Sequence, residues 1–80
     1  MANDLVWTKR MLGAFIEQAC LSEEEIIVLN DWAHGKSIVN TSMNHNMSTR
    51  QIDRIRRRIR RKYDNVQPYT EELPPRLARL

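Results

Sequence analysis

Apolar residues recur at intervals of three and four along most of the chain, and this spacing predicts α-helices. The first helix is expected from about Asn3 or Asp4 to about Gln18. The apolar residues on and beside its inner stripe are Leu5, Val6, Trp7, Met11, Leu12, Phe15 and Ile16. Because this side is wider than a single stripe, it either completes the core of one chain or pairs two chains in a dimer.

A second helix is predicted by its end residues as well as by its periodicity. Ser22 is a capping residue and Glu25 stands at the position that completes a capping box. Apolar residues then recur at helical spacing, namely Ile26, Val28, Leu29, Trp32 and Ala33. Gly35 supplies a natural stop after the last turn.

The third and fourth helices follow after short polar breaks. Ser37 is expected to cap a short helix that ends in the turn at residues 44–46. Its predicted core contacts are Ile38, Val39 and Met43. Ser48 and Gln51 form a second predicted capping box, and the helix that they open should continue to about Tyr63.

Prolines at positions 68, 74 and 75 predict an irregular tail over residues 64–80. No strand-like alternation occurs, so the expected fold is all-α, a small bundle of about four helices. The expected division places an N-terminal helix at 1–20, a helical core at 21–63 and the tail at 64–80.

Composition narrows the class of protein. Eighty residues leave little room for an enclosed active site, so an enzyme is not expected, and no apolar run is long enough to cross a bilayer. One cysteine, Cys20, cannot form an internal disulfide, which favours the reducing cytoplasm. Cys20, His34 and His45 are too few and too irregularly spaced for a zinc site, and no metal or other cofactor is expected.

Charge is distributed very unevenly along the chain. Residues 48–62 hold eight basic side chains and one acid, Asp53, a net charge of +7. The other 65 residues hold five basic and nine acidic side chains, a net charge of −4. A surface polarised in this way attracts a polyanion, and nucleic acid or an acidic membrane are the first candidates.

The fourth helix separates an apolar stripe from a basic one. A turn of about 100° per residue gathers Ile52, Ile55 and Ile59 on one side. The opposite side carries Arg50, Arg54, Arg57 and Arg61, with Asp53 and Arg60 on one flank and Gln51 and Arg58 on the other. Stacked arginines without acids between them repel one another, so a phosphate-bearing partner is expected. A membrane is disfavoured because the apolar side lacks the Trp, Phe and Leu residues that insert.

Residues 21–63 resemble the helix-turn-helix domain of LuxR-type response regulators and, more loosely, the fourth conserved region of sigma factors. The resemblance is carried by Leu21-Ser22, Glu25, Val28-Leu29, Ala33, Gly35, Ser37, Met47-Ser48, Ile52, Ile59 and Lys62-Tyr63. The register holds over 43 residues without a gap. The chain departs from the family pattern at Thr41-Ser42, where Ile-Ala is usual, and at His45 and Asn46, where leucine and glycine are usual.

The resemblance implies that the fourth helix lies in the major groove of duplex DNA. Matched positions imply base reading by Asp53, Arg54 and Arg57, with Thr49 and Arg50 at the tip of the helix. Asp53 either accepts a hydrogen bond from a cytosine amine or orients a neighbouring arginine, and the second role is favoured. Lys36, Ser37 and Ser48 stand at helix starts where phosphates bind, and Arg58, Arg60 and Arg61 are the other expected DNA contacts.

These observations predict a small, non-catalytic, DNA-binding transcriptional regulator. The alternative from another class is an interaction module, similar to a sigma-factor region, that binds RNA polymerase or another regulator. Structured RNA is a third candidate ligand. A homodimer formed through the first helix stays open, since a single helix-turn-helix reads only a few base pairs.

Overall fold

The computed structural model describes residues 7–75, which form four α-helices and one turn of 3₁₀-helix. The helices are α1 (Lys9–Gln18), α2 (Glu23–Ala33), α3 (Ile38–His45) and α4 (Thr49–Val66), and the 3₁₀ turn covers Gln67–Tyr69. The described residues contain no strand. The predicted all-α class is therefore confirmed.

Every α-helix begins after a hydroxyl residue that accepts a hydrogen bond from the backbone three residues later. Ser22 and Glu25 form both halves of the predicted capping box at α2. At α4 the Ser48 hydroxyl accepts from the Gln51 amide at 3.0 Å, but the reciprocal half is not formed. The Gln51 side chain instead donates to the Glu24 carboxylate at 3.0 Å, because an ionised oxygen is the stronger acceptor.

Helix α1 starts later than the sequence predicts. Thr8 has extended backbone angles and its Oγ1 accepts from the Met11 amide at 3.1 Å, so the helix begins at Lys9. Trp7 is likewise outside the helix. The expected helical residues before position 7 lie outside the described residues.

A single apolar core joins the helices. The isoleucines of α4 are at most 1% exposed, which confirms the predicted apolar side of this helix, and they share one cluster with Leu29 and Trp32 of α2. Phe15 of α1 meets Tyr63 edge to face, with ring centroids 5.3 Å apart. Residues 7, 11, 12, 15 and 16 all pack in or against this cluster, so in the described chain the width of the apolar side of α1 serves the core.

Helix α3 turns a different face inward from the one predicted. Val39 and Met43 are 59% and 79% exposed, so their assignment to the core is wrong. Ile38 and Thr41 take the inner positions instead. Thr41 follows Ile38 by one turn of helix, whereas Val39 is displaced by about 100° and faces away.

Residues with left-handed backbone angles make the turns between the described helices. They are Cys20 with φ 51°, Gly35 with φ 79° and Asn46 with φ 55°. Asn46 tolerates this conformation because its side chain is short and polar. The Ser42 hydroxyl donates to the Met47 carbonyl across the same turn. Helices α3 and α4 are thus joined by a connection of three residues.

The segment after Tyr63 is more regular and better packed than predicted. Helix α4 continues to Val66, and Pro68 lies in the first turn of the 3₁₀-helix, where a missing N–H is tolerated. Leu73 is buried in the core. The Tyr63 hydroxyl donates to the Pro74 carbonyl, and Gln67 Nε2 donates to the Leu73 carbonyl at 3.1 Å. Within the described residues the irregular tail therefore begins after Tyr69 and returns to the core at Leu73.

Candidate nucleic-acid interface

Helix α4 holds its basic stripe on the face opposite the core. Its inner face is fully buried, because Ile52, Ile55, Ile59 and Tyr63 are each at most 1% exposed. The outer face is exposed at Arg50, Arg54, Arg57 and Arg61. These four residues, here called the arginine stripe, extend over about 16 Å along the helix axis. The isoleucines prevent the helix from rotating, so the arginines stay in solvent.

The members of the arginine stripe differ in their local partners. The Nη2 atom of Arg57 lies 2.9 Å from the Asp53 carboxylate, an i, i+4 ion pair in which both side chains remain exposed. Within residues 7–75, neither Arg50, Arg54 nor Arg61 makes an ion pair or a side-chain hydrogen bond. Three guanidinium groups are therefore left for a ligand, and a fourth is oriented by an acid.

Arg56 and Arg60 lie over a tryptophan. Their guanidinium carbons are 4.6 and 5.1 Å from the ring centroid of Trp32, which is itself buried in the core. Arg56 also donates from Nη2 to the Lys36 carbonyl at 2.9 Å. Burial, and after it the charge of Arg60, lower the pKa of Arg56. Both side chains thus join α4 to α2 by cation–π contact, and Arg56 also reaches the loop before α3.

A buried carboxylate engages two more of the basic residues. Glu25 is 1% exposed, and its Oε1 accepts from Lys62 Nζ at 2.8 Å and from the Ser22 amide at 2.9 Å. Its Oε2 lies 3.7 Å from Arg58 Nη1. Burial raises the pKa of Glu25, but the hydrogen bonds from Lys62 and Ser22 outweigh it, so the pKa falls below its ordinary value. Glu25 therefore neutralises Lys62 and counters part of the charge of Arg58.

The sequence predicts a capping role for Glu25 but not its contacts with Lys62 and Arg58, and it predicts no role for Arg56. The positions of the basic residues around α4 could have indicated which of them contact neighbouring helices. Arg56 and Arg60 share the flank of Asp53, and Arg58 and Lys62 share the flank of Gln51. Neither flank points straight into solvent, so side chains there reach neighbouring elements.

The other predicted contact residues lie at helix starts. Ser37 and Ser48 are exposed, and their hydroxyls cap α3 and α4. Thr49 is the first residue of α4 and is exposed, as is Lys36 just before α3. The hydroxyls of Ser37 and Ser48 can accept a capping bond and still donate to an anion.

The two histidines weighed as metal ligands contact other groups. His34 Nδ1 lies 2.6 Å from the Asn30 carbonyl at the end of α2, as expected of a histidine at a helix C-terminus. His45 Nε2 lies 3.0 Å from Asp31, and Cys20 is exposed. Among residues 7–75, no group of three or more His, Cys, Asp or Glu side chains is placed to hold a metal ion.

Comparison of the chain with protein-family models, with curated proteins and with solved structures finds no match. In the described part of the chain, none of the helices is long and apolar enough to cross a bilayer. The fold and the site together define a small all-α protein with one helix that is anchored by isoleucines and presents arginine to solvent.

Proposed function

We propose that this protein binds duplex DNA by placing α4 in the major groove, and that it regulates transcription by occupying DNA without catalysis. In this proposal α3 and α4 form a helix-turn-helix, with the arginine stripe toward the base edges and phosphates. The protein would act in the cytoplasm, where its single cysteine stays reduced. The regulatory role follows from the resemblance to LuxR-type domains.

One observation carries the proposal. One face of the 18-residue helix α4 is fully buried, while the opposite face exposes four arginines. Three of these arginines have no partner within residues 7–75. Such an arrangement leaves like charges close together, and phosphate relieves that repulsion. Arginine also suits DNA because its planar fork binds phosphate or the O6 and N7 atoms of guanine with two hydrogen bonds.

The connection between α3 and α4 supports the helix-turn-helix interpretation. It has three residues, as many such motifs do, and Asn46 supplies the left-handed turn. The Ser42–Met47 hydrogen bond ties its two ends together. Arg56 adds a further link, since it holds the loop before α3 against α4.

The test is a mobility shift on duplex DNA with the double variant Arg54→Ala/Arg57→Ala. We expect wild-type protein to bind and the double variant to lose most of its affinity, while its circular dichroism and thermal melting stay near wild type because both side chains are exposed. The matched control is Lys9→Ala/Arg10→Ala, which removes the same charge from exposed positions on α1. Equal loss in both variants would show that net charge alone, and not α4, governs binding.

A second candidate function is an interaction module that binds RNA polymerase or another regulator. The exposure of Val39 and Met43 on an outer face of α3 favours it, since apolar side chains at the surface suit a protein partner. Polymerase pull-down with Met43→Ser alongside the mobility shift separates the two functions. Preference for structured RNA in competition with duplex DNA would favour the third ligand class.

A homodimer would give two recognition helices and a longer site. Apart from Ile27, Val39, Met43 and Tyr69, the large apolar side chains of residues 7–75 are not exposed. Sedimentation at micromolar concentration, with and without DNA, measures the oligomeric state directly.

A further inference from the structure

Asp53 is the one acid among residues 48–62, and it lies on the flank of the arginine stripe. An acid here opposes phosphate binding, because it places a negative charge beside the proposed DNA surface. Its carboxylate is bound to Arg57 at 2.9 Å. The pair must therefore contribute something that compensates for this repulsion.

We propose, on the basis of the proposed function, that Arg57 determines base specificity by binding a guanine in the major groove, and that Asp53 is its positioning residue. Asp53 Oδ2 occupies a donor at one Arg57 nitrogen, Nη2. The guanidinium has five N–H donors, so the others remain for the O6 and N7 acceptors of guanine. Holding one edge of the fork restricts the rotation of a long side chain before DNA arrives.

Arg57 is better suited to this role than its neighbours on the stripe. Arg54 has no partner in the described chain, so its side chain becomes ordered only when DNA binds and can contact any nearby phosphate. Arg50 and Arg61 lie at the two ends of the stripe, and we expect them to contact the sugar–phosphate backbone. Arg54 and Arg57 both lie in the middle of the stripe, and of these two only Arg57 is held by an acid within residues 7–75.

Stability does not explain the pair. Arg57 and Asp53 are 72% and 46% exposed, and exposed i, i+4 pairs contribute little to folding. The helix is already held by its isoleucines and its Ser48 cap. An ion pair that contributes little to the stability of the free protein can still orient a guanidinium group for a ligand.

The experiment is selection of bound duplexes from a library with a randomised central segment, followed by binding measurements on single-base variants of the selected site. The proteins compared are wild type, Asp53→Asn, Asp53→Glu and Arg57→Lys. Glu72→Gln is the matched control, since it removes one negative charge from an exposed position in the tail.

We expect wild type to prefer guanine at one position by about tenfold or more, the range of a bidentate arginine–guanine contact. Asp53→Asn should lose most of this preference while its affinity for the unselected library stays equal or rises, because a repulsive charge is gone. Asp53→Glu should retain the preference, since glutamate also pairs at i, i+4. Arg57→Lys should lose the preference although its charge is kept. Glu72→Gln should behave as wild type.

Unchanged guanine preference in Asp53→Asn would overturn the positioning role. Binding of the library by wild type with no base preference would overturn the inference and leave DNA binding by the stripe intact. No binding of the library at all would overturn the proposed function, and the inference with it.

Discussion

The salt dependence of the proposed DNA binding would measure how many of the basic residues of α4 contact phosphate. The logarithm of the binding constant falls with the logarithm of salt concentration, with a slope of about −0.9 per phosphate neutralised. The structure separates the basic residues into those left for a ligand and those engaged with Trp32, Glu25 or Asp53. The expected slope follows from that division.

Arg50, Arg54, Arg61 and Lys36 are the exposed cations expected to contact phosphate. They give a slope of about −3.6, so raising the salt from about 50 to about 200 mM should increase Kd about 150-fold. If all eight basic residues of α4 and Lys36 contacted phosphate, the slope would be about −8 and the increase about 70,000-fold. The two slopes differ enough for a salt titration to distinguish them.

Fluorescence anisotropy of a labelled duplex, titrated at four or more salt concentrations, gives the slope. Arg54→Gln should reduce its magnitude by about 0.9, because one phosphate contact is lost. The control Lys9→Gln removes the same charge from α1, which packs against the inner side of α4 through Phe15 and Tyr63, and should leave the slope unchanged. A slope steeper than about −6, or no effect of Arg54→Gln, would refute this division of the basic residues.

Three further predictions concern the fold, and each is read by urea or thermal unfolding. Ile55→Ala should cost about 2–5 kcal/mol because the side chain is buried between helices; near-wild-type melting would mean that the phase of α4 is wrong. Glu25→Gln should be less stable than wild type at pH 7, and the difference should shrink as the pH falls. A carboxylate whose pKa is lowered in the folded protein stabilises the fold at pH values above its ordinary pKa of about 4.5, and it loses that contribution as it is protonated. A stability difference that does not depend on pH would contradict the ion pair with Lys62. Leu73→Ala should cost about 2–5 kcal/mol if the tail belongs to the folded unit, and unchanged unfolding would show that it does not.

Local periodicity was sufficient to predict the helices and the two faces of α4. The isoleucines at 52, 55 and 59 recur within one turn of one another, so their common burial follows from helix geometry alone. The same geometry places the arginine stripe on the far side. The starts of α2, α3 and α4 were predictable for a similar reason, since a serine hydroxyl caps the amide only three residues away. The start of α1 after Thr8 was not predicted.

The tertiary structure decided which cations remain for a ligand. Lys62 and Glu25 are 37 residues apart, and Trp32 precedes Arg56 and Arg60 by 24 and 28 positions, so no local pattern connects them. The inward face of α3 and the return of the tail to Tyr63 were likewise not predicted. A charge count along the chain treats every arginine alike. The packing of α2 against α4 brings Glu25 beside Arg58 and Trp32 beside Arg56 and Arg60. Long side chains on the flanks of a helix take partners from whichever element packs beside it.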